Sequence, residues 1–238
     1  MTIADRQPRI PMTDGFTPVS RAVVIGAGTM GSGIAAHLAN CGIAVALLDR
    51  VADGDDRSAL ARTAIERQVK VGGFMVPAFA ARVTPGNVED DLDVVAEADW
   101  IVEAVFEDPN VKHELYAKLE GLRRPGTLMS SNTSGIPVAE LVRGHSEEFA
   151  RDFTITHFFN PPRTMELLEV VAGSDTSPEV LERTIRVADR QLGKTVLECR
   201  DTPGFIANRL GSHWMAVATL EAFEAGLDVE TTDAIMSR

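Results

Sequence analysis

Cysteine is scarce in this chain: Cys41 and Cys199 are the two among 238 residues. So small a supply fits a reducing compartment, with each thiol a buried small hydrophobe rather than a reactive group. Neither the cysteines nor the five histidines fall at a metal-ligand spacing, so no metal is expected. Basic charge is short as well. The 23 Lys and Arg face 35 Asp and Glu, a formal net charge of −12, which excludes the basic face that a nucleic-acid partner requires. An anionic ligand must therefore be held by local donors against the global field. Long apolar runs are missing too, since no window approaches the ~20 residues of a membrane span, and no membrane contact is expected. Residues 1–18 hold three prolines and scattered charge without the apolar stretch of a secretory signal. They read as a flexible leader, and the protein is expected in the cytoplasm.

What is present begins at Ala22. The run Ala22-Val23-Val24-Ile25 ends in Gly26-Ala27-Gly28-Thr29-Met30-Gly31, an Ala-rich helical stretch follows to Cys41, and Ile43 to Leu48 closes on Asp49. Strand, G-x-G-x-x-G, helix and a strand ending in a carboxylate form a dinucleotide-binding β-α-β unit. Gly26 permits the turn out of the strand, Gly28 lets backbone approach a pyrophosphate, and Gly31 lets the helix lie close to the sheet. Asp49 suits the ribose hydroxyls and repels a 2′-phosphate, so NAD is expected rather than NADP. Arg50 beside it reads as a solvated strand-end charge.

Further along, the charge spacing predicts a helix over 53–70, a helical piece over 77–81, a short strand at 82–84 and a turn at Pro85-Gly86-Asn87. Residues 98–105 read as a buried parallel strand, and Asp108-Pro109 opens a helix to Gly121. A strand over 127–130 leads into Ser131-Asn132-Thr133-Ser134-Gly135, which is either a ligand-binding loop at the sheet's carboxyl edge or an ordinary polar turn. Strands follow at 153–159 and 165–171, a helix at 178–192 and a strand at 194–199. Thr202-Pro203 then caps a long helix to about Ala225, with apolar residues on more than one face that expect burial on several sides. The fold class is thus α/β: a Rossmann-type, doubly wound, mostly parallel sheet over 19–200, followed over 201–238 by the first long helix of a truncated all-helical domain.

His157 stands near the end of one strand and Glu169 lies twelve residues on, within Leu167-Leu168-Glu169-Val170-Val171. A carboxylate in an apolar strand is costly unless paired. A return across Asn160-Pro161-Pro162 brings the two together as an oriented acid-base pair; His157 taken alone has a structural reading, which Glu169 admits less readily.

Several motifs in order, Gly26 to Ala35, Glu103-Ala104-Val105-Phe106-Glu107, Ser131 to Ser134, His157-Phe158-Phe159-Asn160-Pro161, Leu168 to Val171 and Asp201 to Arg209, together resemble the L-3-hydroxyacyl-CoA dehydrogenase family. The run Phe158-Phe159-Asn160-Pro161-Pro162-Arg163 and the Ser134-Gly135-Ile136 after Asn132-Thr133 are similar to the dehydrogenase half of bacterial proteins that fuse this activity to an enoyl-CoA hydratase. The resemblance implies NAD-dependent oxidation of an (S)-3-hydroxyacyl-CoA in fatty-acid β-oxidation, an acyl-CoA substrate, and a homo-oligomer in the full-length protein. It implies that His157 takes the hydroxyl proton, that Glu169 holds His157, and that Asn208 and Ser134 position substrate oxygens. Glu107, Lys112, Asn160 and Ser134 fall where the family contacts NAD, alongside Gly26, Gly28, Thr29, Met30, Gly31 and Asp49. Arg62, Arg67 and Lys70 are candidates for the CoA phosphates, with solvated charge as the equal alternative. A dehydrogenase of a small hydroxy or sugar acid on the same fold, or a nucleotide-binding fragment without turnover, stand as the other readings.

Overall fold

The structure, a computed structural model, describes residues 16–237. In chain order its elements are β1 (Arg21–Ile25), α1 (Thr29–Asn40), β2 (Ala44–Asp49), α2 (Ala59–Lys70), β3 (Val83–Asn87), β4 (Trp100–Glu103), α3 (Pro109–Leu122), β5 (Leu128–Ser131), α4 (Val138–Leu141), α5 (Glu147–Arg151), β6 (Phe153–Phe158), β7 (Leu167–Ala172), α6 (Pro178–Arg186), β8 (Thr195–Cys199), α7 (Ala207–Glu224) and α8 (Val229–Met236). The eight strands form one sheet in the order β3-β2-β1-β4-β5-β6-β7-β8. Every pairing is parallel except β6 with β7. The winding reverses between β1 and β4, and in such sheets the ligand crevice lies outside the strand carboxyl ends at that reversal. Apart from Arg21, every residue of β1, β4, β5 and β6 is buried, as a sheet covered by helices on both sides demands.

Of the leader expected over 1–18, residues 1–15 lie outside the described residues, while Phe16 packs against the core and Val19 is buried. Three expectations need correction. The helix expected from 53 begins at Ala59, because Gly54 takes a left-handed φ of +98° and the Asp56 carboxylate accepts the Ser58 amide at 3.2 Å, a side-chain turn that competes with helix. Pro85-Gly86-Asn87 is not a turn but the end of β3, paired with Leu47-Leu48-Asp49. Its place at the sheet edge tolerates a proline that has no N–H to donate. The last long helix starts at Ala207 rather than Pro203, since Gly204 and Phe205 both have positive φ and turn the chain before it can coil. That helix has no buried residue, and its apolar residues Leu210, Trp214, Leu220 and Phe223 are exposed. Among the described residues no helix is long and apolar enough to cross a membrane.

Behind α1, His37 is buried and its Nε2 lies 3.2 Å from the Leu192 carbonyl. Burial, with a smaller contribution from nearby Lys194, lowers its pKa from 6.5 to about 4, against the pull of that carbonyl. The unfolded chain therefore takes up a proton first as the pH falls, and stability present above pH 6.5 is lost on the way to about 4. The loss expected is about 3 kcal/mol. Urea unfolding across this window checks it: the parent midpoint should drop steeply, and that of His37→Gln should drop less.

Candidate active site

The glycine-rich turn follows directly from β1. Gly26 has φ +104°, and a Cβ there would stand 2.4 Å from the Ala104 carbonyl oxygen. At Gly31 a Cβ would stand 1.8 Å from the Gly26 carbonyl oxygen, so this glycine sets the close approach of α1 to the loop. Gly28 is the opposite case, since a Cβ added there would meet nothing within 4 Å; its face is open. Gly28 caps α1, no side chain caps the helix, and no acidic residue sits in its first turn, which includes Thr29 and Met30. Free amides at a helix N-terminus beside an open glycine face suit a pyrophosphate.

Asp49 ends β2, and its carboxylate accepts the Ala27 amide and the Arg50 amide, the latter at 2.7 Å. Together with Gly26, Gly28, Arg50, Val88, Phe106 and Leu115 it lines a cleft of about 640 Å³. An acidic strand end, a bare helix terminus and an apolar-walled cleft fit a dinucleotide with free ribose hydroxyls. Asp49→Ala should weaken NAD by roughly tenfold or more, the scale of a charge-assisted hydrogen bond, and weaken NADP less. Equal losses in calorimetric titration would contradict this assignment.

A buried polar network forms the floor at the ends of β4 and β5. Lys112, 1% exposed, donates to both oxygens of Glu103 at 2.7 and 2.9 Å. Tyr116 and Ser131 hydroxyls donate to the same carboxylate at 2.6 and 2.7 Å, and the Val105 amide donates at 2.7 Å. So many donors satisfy a charge that would otherwise be prohibitive to bury. Burial and the Glu103 charge push the Tyr116 phenol well above its ordinary value, so it stays a donor. Lys112 also lies 3.3 Å from Glu107, which accepts hydrogen bonds from the Thr133 hydroxyl and, at 3.2 Å, from the Ser134 amide. The predicted residues Glu107, Lys112 and Ser134 thus form one cluster, with Lys112 underneath it rather than on its surface.

His157 and Glu169 are direct partners across the antiparallel β6–β7 pair, so their side chains share a face. His157 Nδ1 lies 2.8 Å from Glu169 Oε2. The other oxygen, Oε1, accepts the Ile206 and Ala207 amides at 3.0 and 2.8 Å. Burial alone would raise the Glu169 carboxyl, but the hydrogen bonds from His157, Ala207 and Ile206 outweigh it and hold its pKa below the ordinary value. An ionised carboxylate only accepts, so His157 Nδ1 carries the hydrogen and Nε2 keeps its lone pair when the ring is neutral. The rings of Phe159 and Phe205 flank the imidazole at 4.5 and 5.6 Å between centroids. Asn132, just past β5, accepts the Phe158 amide at 2.9 Å and ties the hydroxyl-rich loop to the strand that bears His157.

The remaining predicted residues are less closely drawn in. Asn208 is exposed on the first turn of α7, next to the amide that bonds Glu169. Asn160 lines a second cleft of about 390 Å³ with Thr29, Arg67, Gly72 and Arg163. Arg67 reaches the Ser32 hydroxyl at 3.1 Å, over the start of α1. Arg62 is paired with Asp56 at 2.9 Å, and Lys70 is exposed at the end of α2. Among the described residues no group of three or more His, Cys, Asp or Glu could hold a metal ion. Sequence reasoning overlooked Glu103 as the hub of the floor, although its place at the end of an apolar strand carried the same signal as Glu169. It also overlooked the turn at 205–207, which no local pattern announced.

A family model described as "3-hydroxyacyl-CoA dehydrogenase, NAD binding domain" matches residues 21–202. A relative from Deinococcus radiodurans named "Probable 3-hydroxyacyl-CoA dehydrogenase" is 42% identical over 91% of this chain and 64% of its own length. One of the same name from Bacillus subtilis is 40% identical over 91% of this chain and 30% of its own. The chain therefore spans less than two thirds of either relative. The crystal structure of 3-hydroxybutyryl-CoA dehydrogenase from Escherichia coli superposes with a TM-score of 0.74 at 32% identity, covering 88% of this chain and 44% of that one.

Proposed function

The chain belongs to the 3-hydroxyacyl-CoA dehydrogenase family, residues 21–202 matching its NAD-binding domain, and from that premise we propose that the protein oxidises (S)-3-hydroxyacyl-CoA to 3-oxoacyl-CoA, a step of fatty-acid β-oxidation. Gly26, Gly28, Thr29, Met30 and Gly31 receive the pyrophosphate of NAD and Asp49 its ribose, with Glu107, Ser134 and Asn160 toward the other end. Lys112 acts on that end through Glu107. When bound, NAD supplies the acceptor for the hydride that leaves C3.

His157 Nε2 takes the proton of the 3-hydroxyl, a general-base role that suits an imidazole with one nitrogen already committed to a carboxylate. Glu169 fixes the tautomer and its charge stabilises the imidazolium that forms. Ser134 and Asn208 position the substrate oxygens, and Arg67 is the basic side chain best placed for a CoA phosphate. The exposed apolar residues of α7 support the division into a unit over 19–200 and a helical one over 201–238.

The observation that carries this reading is the 2.8 Å His157–Glu169 bond at the sheet edge where the cofactor cleft opens. NADH formation with (S)-3-hydroxybutyryl-CoA and with free 3-hydroxybutyrate tests it. Binding energy from the CoA portion should favour the thioester by about a hundredfold or more in kcat/KM. Oxidation of the free acid alone would overturn the substrate assignment.

A further inference from the structure

Among the described residues Phe205 is the non-glycine residue with a left-handed backbone, φ +46°. It is also 2% exposed. A bulky residue keeps this conformation only where its surroundings over-determine it. Here the Phe205 amide donates to the Thr202 carbonyl at 3.0 Å. The next two amides, of Ile206 and Ala207, then both point at Glu169 Oε1, at 3.0 and 2.8 Å. The Phe205 ring lies 5.6 Å from the His157 ring at an interplanar angle of 59°. From β8 the Cys199 thiol adds a weak third contact to the same oxygen at 3.6 Å.

We propose that Phe205 is a positioning residue for the proton relay: its turn aims two backbone amides at Glu169 Oε1, leaving Oε2 to His157, while its ring closes one side of the imidazole. Glu169 then has one usable rotamer and His157 one tautomer. The idea rests on the reading of His157 as the base, but the arrangement it describes exists without substrate. The titratable groups facing Glu169 are His157 on β6 and Cys199 on β8, the latter with Glu198 beside it; the turn contributes backbone donors alone. Burial, then the Glu169 charge, pushes the Cys199 thiol up to about 12, so it remains a proton donor across the working range.

The test is NMR on the chain in Phe205→Ala and Phe205→Leu variants, following the Ile206 and Ala207 amides and the ring nitrogens of His157. In Phe205→Ala the two amides should exchange at least about tenfold faster, and the nitrogen shifts should report a mixture of tautomers. Phe205→Leu, which keeps a buried apolar anchor, should restore both signals toward the parent. NAD affinity, read in the same samples, should stay within about twofold and so report an intact cofactor unit. Should the Ala variant lose NAD binding through misfolding, Phe205→Val decides in its place: it keeps a buried apolar side chain but disfavours the left-handed backbone, so the same faster amide exchange and mixed tautomers are expected. A Phe205→Ala or Phe205→Val variant that binds NAD with parental amide exchange and a single tautomer would overturn the proposal. A wrong substrate assignment would leave every one of these signals as expected and appear in turnover alone.

Discussion

His157→Gln is expected to lower turnover by about a hundred- to ten-thousandfold, the contribution of a positioned general base, while NAD affinity changes by no more than about twofold. The separation follows from the architecture. His157 lies on β6 and meets Glu169 from β7, whereas the glycine turn and Asp49 belong to β1, α1 and β2 on the other side of the winding reversal. Glutamine fills the space and can donate to Glu169, but it has no nitrogen lone pair to take a proton. A thousandfold loss corresponds to about 4 kcal/mol of transition-state stabilisation. Single-turnover measurement of NADH formation, with NAD affinity taken separately, checks both halves; a variant that keeps most of its turnover removes His157 from the chemistry.

Glu169→Gln is expected to cost nearly as much, for a reason set by the turn that begins α7. The Ile206 and Ala207 amides require an acceptor where Oε1 now stands, so the carboxamide must place its oxygen there and turn its NH₂ toward His157. That NH₂ can only donate, so His157 Nδ1 must accept and the ring hydrogen moves to Nε2. The nitrogen that faces the hydroxyl then carries a hydrogen and cannot act as base. A loss of about a hundredfold or more in turnover is expected, with nearly parental NAD affinity. The nitrogen chemical shifts of His157 should show the opposite tautomer from the parent; an unchanged tautomer with unchanged turnover would contradict the orienting role.

The two halves of the site were unequally legible. The β1-α1-β2 unit is local in sequence, and each glycine's requirement is set by the few residues around it, so the motif alone conveyed it. Glu169 stood out because a charge among Leu and Val demands a partner, and the antiparallel return that supplies His157 takes only twelve residues. Pro85 misled because a proline signals a turn unless one knows that β3 is an edge strand, which is a property of the whole sheet. Thr202-Pro203 has the form of a helix cap, but the left-handed pair Gly204 and Phe205 intervenes, and the two amides that follow it meet a carboxylate far earlier in the chain. The Glu103 floor draws on β4, α3 and β5, three segments whose meeting no spacing records. The short helices α4 and α5, of four and five residues, are below the length at which periodicity is readable.

Whether the cofactor cleft and the His157–Glu169 pair are halves of one site for a CoA thioester is tested most directly by a crystal structure of the protein with NAD and a 3-oxoacyl-CoA. The expected result places the pyrophosphate on the amides of the Gly28 turn and the 3-oxygen within hydrogen-bond reach of His157 Nε2, roughly 2.6–3.2 Å. A thioester bound with its 3-oxygen away from His157, or a pyrophosphate held elsewhere than the Gly26–Gly31 turn, would contradict it.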